Sequence, residues 1–149
     1  MTISNHMLAG TLIAVVIKQP LLALPLAFAS HFVLDSLPHF GYEQRGFGEL
    51  FRHKITYVVQ ALSIVGLVLL AATGVYGWNL ALLAGIIAVS PDLEWGYRYF
   101  FFERKGLTPP KTPLTDFHQK IQWCERSWGI FSEAILFSIG FVILLARLH

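Results

Sequence analysis

The sequence predicts an all-α fold, an integral membrane bundle of about five helices with two hairpins of short helices, in one domain over residues 1–149. Of its residues, 55% are hydrophobic and 13% are charged, and the mean hydropathy is +0.59. A soluble domain carries about 25% charged residues. A chain of this size has too much surface to bury so much apolar area in water. In addition, uncharged runs of helical length alternate with short turns that contain Pro or Gly.

The first predicted hairpin joins the apolar runs 7–17 and 21–34 through a Lys18-Gln19-Pro20 turn. Both runs are shorter than the ~20 residues of an upright spanning helix. We therefore expect the pair either to cross a thin region at a tilt or to enter the membrane and return. The second helix should end near Ser36 or Leu37, because the residue before Pro38 is pushed out of helical conformations.

The second predicted hairpin begins with residues 55–73, which carry no charge and indicate a full span. A turn at 74–78 leads to a fourth helix at 79–90. Before this hairpin lies a polar loop, 41–54, with a short interfacial helix at 48–52. After it come an aromatic and basic interfacial segment at 97–105, an amphipathic helix within 116–126 and a last span at 128–146. Glu133 lies inside that span and is expected to pair with a basic residue or a histidine, or to reach the interface.

Charge sets the predicted orientation. If the helices alternate sides, nine of the 11 Lys and Arg residues fall on one side and only Lys18 and Arg147 on the other. Positive residues concentrate on the cytoplasmic side. We therefore predict a multi-pass protein of the inner (cytoplasmic) membrane whose polar site faces the cytoplasm. The formal charge of +2 gives no indication of nucleic acid as a partner.

Histidines and carboxylates gather on the same side. His31 and Asp35 lie four residues apart on one helix face, where they are costly unless paired, hydrated or bound to metal. Imidazole and carboxylate together suit zinc and similar divalent metals. The predicted ligands of one or two such ions are His6, His31, Asp35, His53 and Asp92. The predicted catalytic residues, for proton transfer or support of the ligands, are His39, Glu94 and His118.

These residues also have structural explanations, which the sequence leaves open. His31 and Asp35 could form a plain ion pair, and Asp92 could cap the helix that follows it. His6 could be an exposed terminal residue. The remaining histidines, His39, His53 and His118, could belong to ordinary loops or to an amphipathic surface.

Three short motifs resemble those of a known family. They are Asn5-His6-Met7 at the start of the first helix, Ser30-His31 to Asp35 at a helix end, and Ser90-Pro91-Asp92-Leu93-Glu94 after an apolar helix. In these motifs the chain resembles the membrane-bound metal-dependent hydrolases, a group that includes the LexA-binding inner-membrane hydrolases. The family's His-Arg-Gly-x-x-His-Ser element is absent, with Arg52-His53 the nearest approach, and the order of the motifs differs. The resemblance implies metal-dependent hydrolysis.

The predicted function is hydrolysis by metal-activated water of a phosphoester or lipid-head-group bond at the cytoplasmic face. Membrane lipid is the expected partner, and a lipid-like or phosphoester molecule the expected substrate. The sequence contains neither a phosphate-binding Gly loop nor a Gly-x-Ser-x-Gly motif, so neither of these motifs points to a different chemistry. Two alternatives stay open: a non-enzymatic membrane protein that binds or transports metal ions or protons, and a structural or partner-binding membrane protein. The sequence does not set the oligomeric state.

Overall fold

The structure, a computed structural model, describes residues 1–40, 54–72, 78–126 and 128–148 and is mostly helical there. The predicted all-α class is confirmed. The elements are α1 (Ile3–Ile17), α2 (Pro20–Asp35), β1 (His39–Phe40), α3 (Lys54–Ala72), α4 (Trp78–Val89), α5 (Leu93–Phe101), α6 (Pro113–Ile121), β2 (Glu125–Arg126) and α7 (Gly129–Leu148). Short 3-10 turns follow α4, α5 and α6, at Ser90–Asp92, Glu103–Lys105 and Gln122–Cys124.

The first hairpin is confirmed. Lys18 closes α1 in the left-handed region (φ 56°), where its backbone N–H donates to the Ala14 carbonyl at 2.9 Å. Pro20 occupies the first position of α2, where its missing N–H costs nothing. The helix ends at Asp35, three residues before Pro38. The predicted loop and short helix within 41–54 and the turn at 74–78 lie almost entirely outside the described residues.

α1 is the central helix, since it packs against α2, α3, α4 and α7. Small side chains form the core where α1, α2 and α4 meet. That core consists of Ala14, Ala23, Ala27, Ala81, Ala84 and Ala88. Alanine and glycine allow helix backbones to approach closely, which is the way helices commonly associate in membranes.

The tightest approach occurs at Gly10, where an added Cβ would lie 2.4 Å from the Ala84 carbonyl oxygen. We expect Gly10→Ala to lower the free energy of unfolding by about 1–3 kcal/mol, because α1 and α4 would have to separate. Thermal unfolding of the purified protein in detergent measures this loss. Gly96→Ala in α5 is the matched control, since no described atom outside its own helical backbone and chain neighbours lies within 4 Å of its added Cβ. It should be neutral or stabilising by up to about 1 kcal/mol, and equal melting temperatures for the two variants would contradict the close approach.

α6 begins earlier than the sequence indicates. The predicted amphipathic helix starts at residue 116, whereas α6 begins at Pro113 and ends at Ile121. Thr112 caps it, because its hydroxyl oxygen accepts from the Thr115 backbone N–H at 3.1 Å. Proline then fits the first helical turn. Thr115 and His118 form the buried face of this helix.

Among the described residues, one helix is both long and apolar enough to cross a membrane, over Gly129–Arg147. α1 and α2 are apolar but shorter, as the sequence predicts. β1 and β2 form a parallel pair beside the start of α7, with His39 opposite Glu125. This small pairing was not expected from the sequence.

Candidate metal centre

Four side chains from three parts of the chain converge at the end of α2. They are His31 and Asp35 of α2, Asp92 of the turn after α4, and His118 of α6. Each offers one ligand atom, and these atoms all lie within 4.8 Å of one another. The side chains of His31, Asp35 and His118 are fully buried, whereas that of Asp92 is 21% exposed. Asp92 therefore marks the open side of the group.

Four of the six separations between these atoms are near those in a tetrahedral metal site. Asp35 Oδ2 lies 3.2 Å from His31 Nε2 and 2.8 Å from His118 Nε2. The two Nε2 atoms are 3.1 Å apart, and Asp92 Oδ1 lies 3.7 Å from His31 Nε2. Ligands bound to zinc at about 2.0–2.2 Å are separated by roughly 3.3–3.6 Å in a tetrahedron. All six separations lie within 4.8 Å, so shifts of up to about 1 Å would bring the four atoms to tetrahedral distances around an ion.

The protons available in the group are too few for its acceptors. His31 Nδ1 lies 2.8 Å from the Ala88 carbonyl oxygen. Because a carbonyl only accepts, Nδ1 carries the ring proton, and in the neutral ring Nε2 presents a lone pair. That lone pair faces Asp35 Oδ2 and Asp92 Oδ1. His118 Nε2 can donate to only one of these three atoms, and the Gln122 amide donates to Asp35 Oδ2 at 3.4 Å. With neutral His31, at least one acceptor is left without a donor in the group, and a cation at their centre would satisfy it.

The hydrogen bond to Ala88 also has the form expected around a metal. Metal-binding histidines generally donate their second ring N–H to a carbonyl or carboxylate, which fixes the tautomer and the ring orientation. His31 has such a partner. His118 Nδ1 is buried and has no hydrogen-bond partner within the described part of the chain. His31 is therefore the better oriented imidazole of the two.

The second oxygen of Asp35 has its own neighbours. Asp35 Oδ1 accepts from the Met1 amine at 2.5 Å and lies 3.1 Å from His6 Nε2. The His6 ring stacks on His31 with centroids 4.0 Å apart. Both His6 nitrogens are buried and lack a properly oriented hydrogen bond to any described residue. Asp35 thus links the four-residue group, through Oδ1, to a further imidazole.

Asp92 lies on the open side of the group but is still mostly buried, and this burial affects its carboxyl. It raises the pKa of the Asp92 carboxyl, and the neighbouring His31 opposes this effect. A cation binds the ionised carboxylate, so its charge would offset the cost of burying Asp92. Without a cation, the raised pKa of Asp92 favours the neutral carboxyl, whose O–H can donate to a neighbouring acceptor.

The structure brings together three of the five predicted metal ligands, His31, Asp35 and Asp92, and adds His118, which was predicted as a catalytic residue. His6 is not one of the four but touches Asp35 and His31. His53 lies outside the described residues.

The other two predicted catalytic residues, His39 and Glu94, are not members of the group. His39 Nδ1 donates to the Leu37 carbonyl at 2.8 Å, and its Nε2 lies 3.8 Å from Glu125 Oε1. Pro38 separates His39 from α2, and β1 carries it toward β2. Glu94 Oε1 accepts a hydrogen bond from the Thr115 hydroxyl and instead helps to hold α6.

Sequence reasoning missed Gln122, whose Nε2 lies 3.4 Å from Asp35 Oδ2 and 3.3 Å from His118 Nε2. It lies four residues after His118, at the start of the 3-10 turn that continues directly from α6, and this spacing is a signal that the two side chains lie near each other. Glu133 also differs from expectation. Within the described residues it accepts hydrogen bonds from the backbone N–H groups of Thr2 and Phe40 and from the Asn5 amide, and not from a cation or a histidine.

No protein-family model, curated protein or solved structure matches this chain. The resemblance to membrane-bound metal-dependent hydrolases therefore stays a prediction. Function has to be inferred from the chemistry of the group itself.

Proposed function

We propose that the protein is a membrane-bound metal-dependent hydrolase acting on a phosphoester, including that of a lipid head group, at the cytoplasmic face. One observation carries this proposal. The His31 Nδ1–H is held by the Ala88 carbonyl, so its Nε2 lone pair joins three other potential ligand atoms within 4.8 Å.

The donor set fits a divalent cation such as zinc. Two imidazoles and two carboxylates are ligands that zinc accepts, and three of them are held in place by full burial. A bound ion would act as a Lewis acid on the phosphoryl oxygen and make hydroxide available near neutral pH. The partial exposure of Asp92 provides a side from which a substrate can approach.

His6 is the residue that we propose to carry the proton. Its two nitrogens lack hydrogen bonds to described residues, and its Nε2 lies 3.1 Å from Asp35 Oδ1. In hydrolysis the water oxygen bonds to phosphorus, the bond from phosphorus to the leaving oxygen breaks, and a proton moves from the water to that leaving oxygen. An imidazole nitrogen next to a carboxylate can accept such a proton and pass it on.

Membrane insertion of the bundle is supported by its surface and its packing. The helix over Gly129–Arg147 has the length and hydropathy of a span. α1, α2 and α4 meet through alanines, and α2 exposes large apolar side chains such as Leu21 and Leu26. Such a face is favourable in hydrocarbon and unfavourable in water. The excess of Lys and Arg on one predicted side supports the cytoplasmic orientation of the site.

Elemental analysis of the detergent-purified protein tests the proposal. We expect about one divalent metal ion per chain, because four ligands converge on one point. His118→Ala should lower metal affinity at least tenfold, since loss of even an outer-shell partner costs about 10–100-fold. Gln119→Ala, at the exposed neighbouring position, is the matched control and should keep the wild-type affinity.

Two outcomes would count against the proposal in different ways. Wild-type protein that binds no divalent metal would overturn the metal site altogether. Metal binding without hydrolysis of soluble phosphomonoesters, phosphodiesters or phospholipids would favour the non-enzymatic metal-binding alternative.

A further inference from the structure

Gln122 is a partly exposed side chain that touches the four-residue group from outside. Its amide nitrogen Nε2 lies 3.4 Å from Asp35 Oδ2 and 3.3 Å from His118 Nε2. Because an ionised carboxylate only accepts hydrogen bonds, the amide turns its NH₂ group, and not its oxygen, toward Asp35. Gln122 therefore presents a hydrogen-bond donor at the edge of the group.

The other outside donors that approach Asp35 are closed off from solvent. Among the described residues these are the Met1 amine, 2.5 Å from Asp35 Oδ1, and His6 Nε2, 3.1 Å from the same oxygen, and neither group is exposed. Asp92 is 21% exposed, but as a metal ligand it is ionised and can only accept. Within the described part of the chain, a molecule that reaches the cation-loaded group from solvent therefore meets the Gln122 amide as its neutral donor.

The Gln122 amide has an N–H to offer such a molecule. Its NH₂ group carries two hydrogens, and Asp35 Oδ2 takes one of them. His118 Nε2 does not take the other. At 2.8 Å it donates its own proton to Asp35 Oδ2, and with a cation in the group its lone pair would face that cation. The second N–H of Gln122 is thus available to an incoming acceptor.

The backbone of Gln122 is held in place. Gln122 directly follows α6, and its carbonyl accepts a hydrogen bond from the Glu125 backbone N–H in the 3-10 turn. Glu125 in turn pairs with His39 of β1. The amide therefore extends from a fixed point beside the group. A donor positioned in advance stabilises charge on an acceptor better than a mobile donor does.

We infer that Gln122 donates this N–H to a phosphoryl oxygen of the substrate and is a substrate-binding residue of the hydrolase. The inference rests on the proposed function for the identity of the substrate. A phosphoester offers negatively charged oxygens, and hydrogen bonds to charged acceptors are stronger than those between neutral groups. Catalysis of phosphoryl transfer depends mainly on positioning and on stabilising the charge of these oxygens. The Gln122 N–H should therefore assist both binding and reaction.

Binding of inorganic phosphate to the zinc-saturated protein, measured by isothermal titration calorimetry in detergent, tests this role without catalysis. Gln122→Ala should weaken phosphate binding about 10–100-fold, because it removes a hydrogen bond to a charged acceptor. Gln122→Glu keeps the size of the side chain but replaces the donor by a negative charge, so it should weaken binding at least as much. Gln119→Ala and Gln119→Glu, at an exposed position of α6, are the matched controls and should stay within about twofold of the wild type.

Zinc affinity distinguishes substrate binding from a purely structural role. Gln122→Glu should bind zinc at least as tightly as the wild type, because it adds a negative charge beside the cation site. Its loss of phosphate binding then cannot come from lost zinc. If Gln122 only held Asp35 and His118 in place, Gln122→Ala would weaken zinc binding about 10–100-fold and bind phosphate normally at saturating zinc. That pattern, or wild-type phosphate affinity in Gln122→Glu, would overturn the inference.

Hydrolysis of a soluble phosphodiester separates this inference from the proposed function. At saturating zinc, Gln122→Ala should lower kcat/KM at least about tenfold. Wild-type protein that binds no metal would overturn the proposed function and this inference with it. A zinc-loaded wild type that hydrolyses the phosphodiester, beside a Gln122→Ala variant with equal phosphate affinity and equal kcat/KM, would overturn the role of Gln122 alone.

Discussion

Asp35→Asn should lower the affinity of the purified protein for zinc about 10²–10⁴-fold, the equivalent of ~3–5 kcal/mol. Asp35 is the group member that contacts both imidazoles, through Oδ2 at 3.2 Å from His31 and 2.8 Å from His118. Its charge is fully buried, so water screens it little. The amide of asparagine has the same shape but no charge, and its NH₂ group can satisfy His31 Nε2 in the metal-free protein.

Competition against a zinc-binding dye measures this change. Asp116→Asn is the matched control, because it makes the same substitution at an exposed position of α6, two residues from His118. Its zinc affinity should stay within about twofold of the wild type, as expected for a charge screened by solvent. If Asp35→Asn kept wild-type zinc affinity, Asp35 would have no place among the ligands. Hydrolysis of a soluble phosphodiester should fall with the affinity at limiting zinc.

The parts of the site that follow from helix geometry were predictable from the sequence. His31 and Asp35 lie four residues apart, so any helix through residues 21–34 that continues one turn places them side by side. The Lys18-Gln19-Pro20 turn then brings the start of α1, with His6, to the same end of the hairpin. Because the helices are predicted to alternate between the two sides of the membrane, Asp92 at the end of the fourth helix comes to the same side. None of these placements depends on the details of side-chain packing.

The position of His118 was harder to predict from the sequence, because it depends on how α6 packs against α2. An amphipathic helix normally buries its apolar side, which suggests that Phe117 turns inward. In α6 the buried residues are Thr115 and His118, and Phe117 is 49% exposed. The polar side is buried because Glu94 and Asp35 provide partners for it. Spacing offered one clue, since Thr115, His118 and Gln122 share a face.

His39 and Glu94 show that closeness in sequence to a predicted ligand does not place a side chain in the metal group. Glu94 lies only two residues from Asp92, but two residues of helical backbone rotate a side chain by roughly 200–240°. The two carboxylates therefore point in different directions, one to the metal centre and one to Thr115. His39 lies four residues from Asp35, but the helix has already ended. The i, i+4 relation consequently does not apply to this pair.

Glu133→Ala should lower the free energy of unfolding by at least about 3 kcal/mol. The Glu133 side chain accepts from the backbone N–H groups of Thr2 at 3.0 Å and Phe40 at 2.8 Å, and from the Asn5 amide at 3.3 Å. Glu133 is only 2% exposed. Each buried donor left without a partner costs about 1–3 kcal/mol. Denaturant unfolding in detergent, followed by tryptophan fluorescence, measures the loss.

Two further variants separate the hydrogen bonds of Glu133 from its charge. Glu133→Gln keeps one accepting oxygen, so it should lose roughly half as much stability as Glu133→Ala if hydrogen bonding dominates. Glu103→Ala removes an exposed carboxylate 3.9 Å from Arg98 Nε and should change the free energy of unfolding by less than about 1 kcal/mol. Equal stability of Glu133→Ala and Glu103→Ala would contradict the role of Glu133 in joining α7 to α1 and β1. Because Thr2 and Asn5 closely precede His6 in the chain, Glu133→Ala should also weaken zinc binding, but less than Asp35→Asn does.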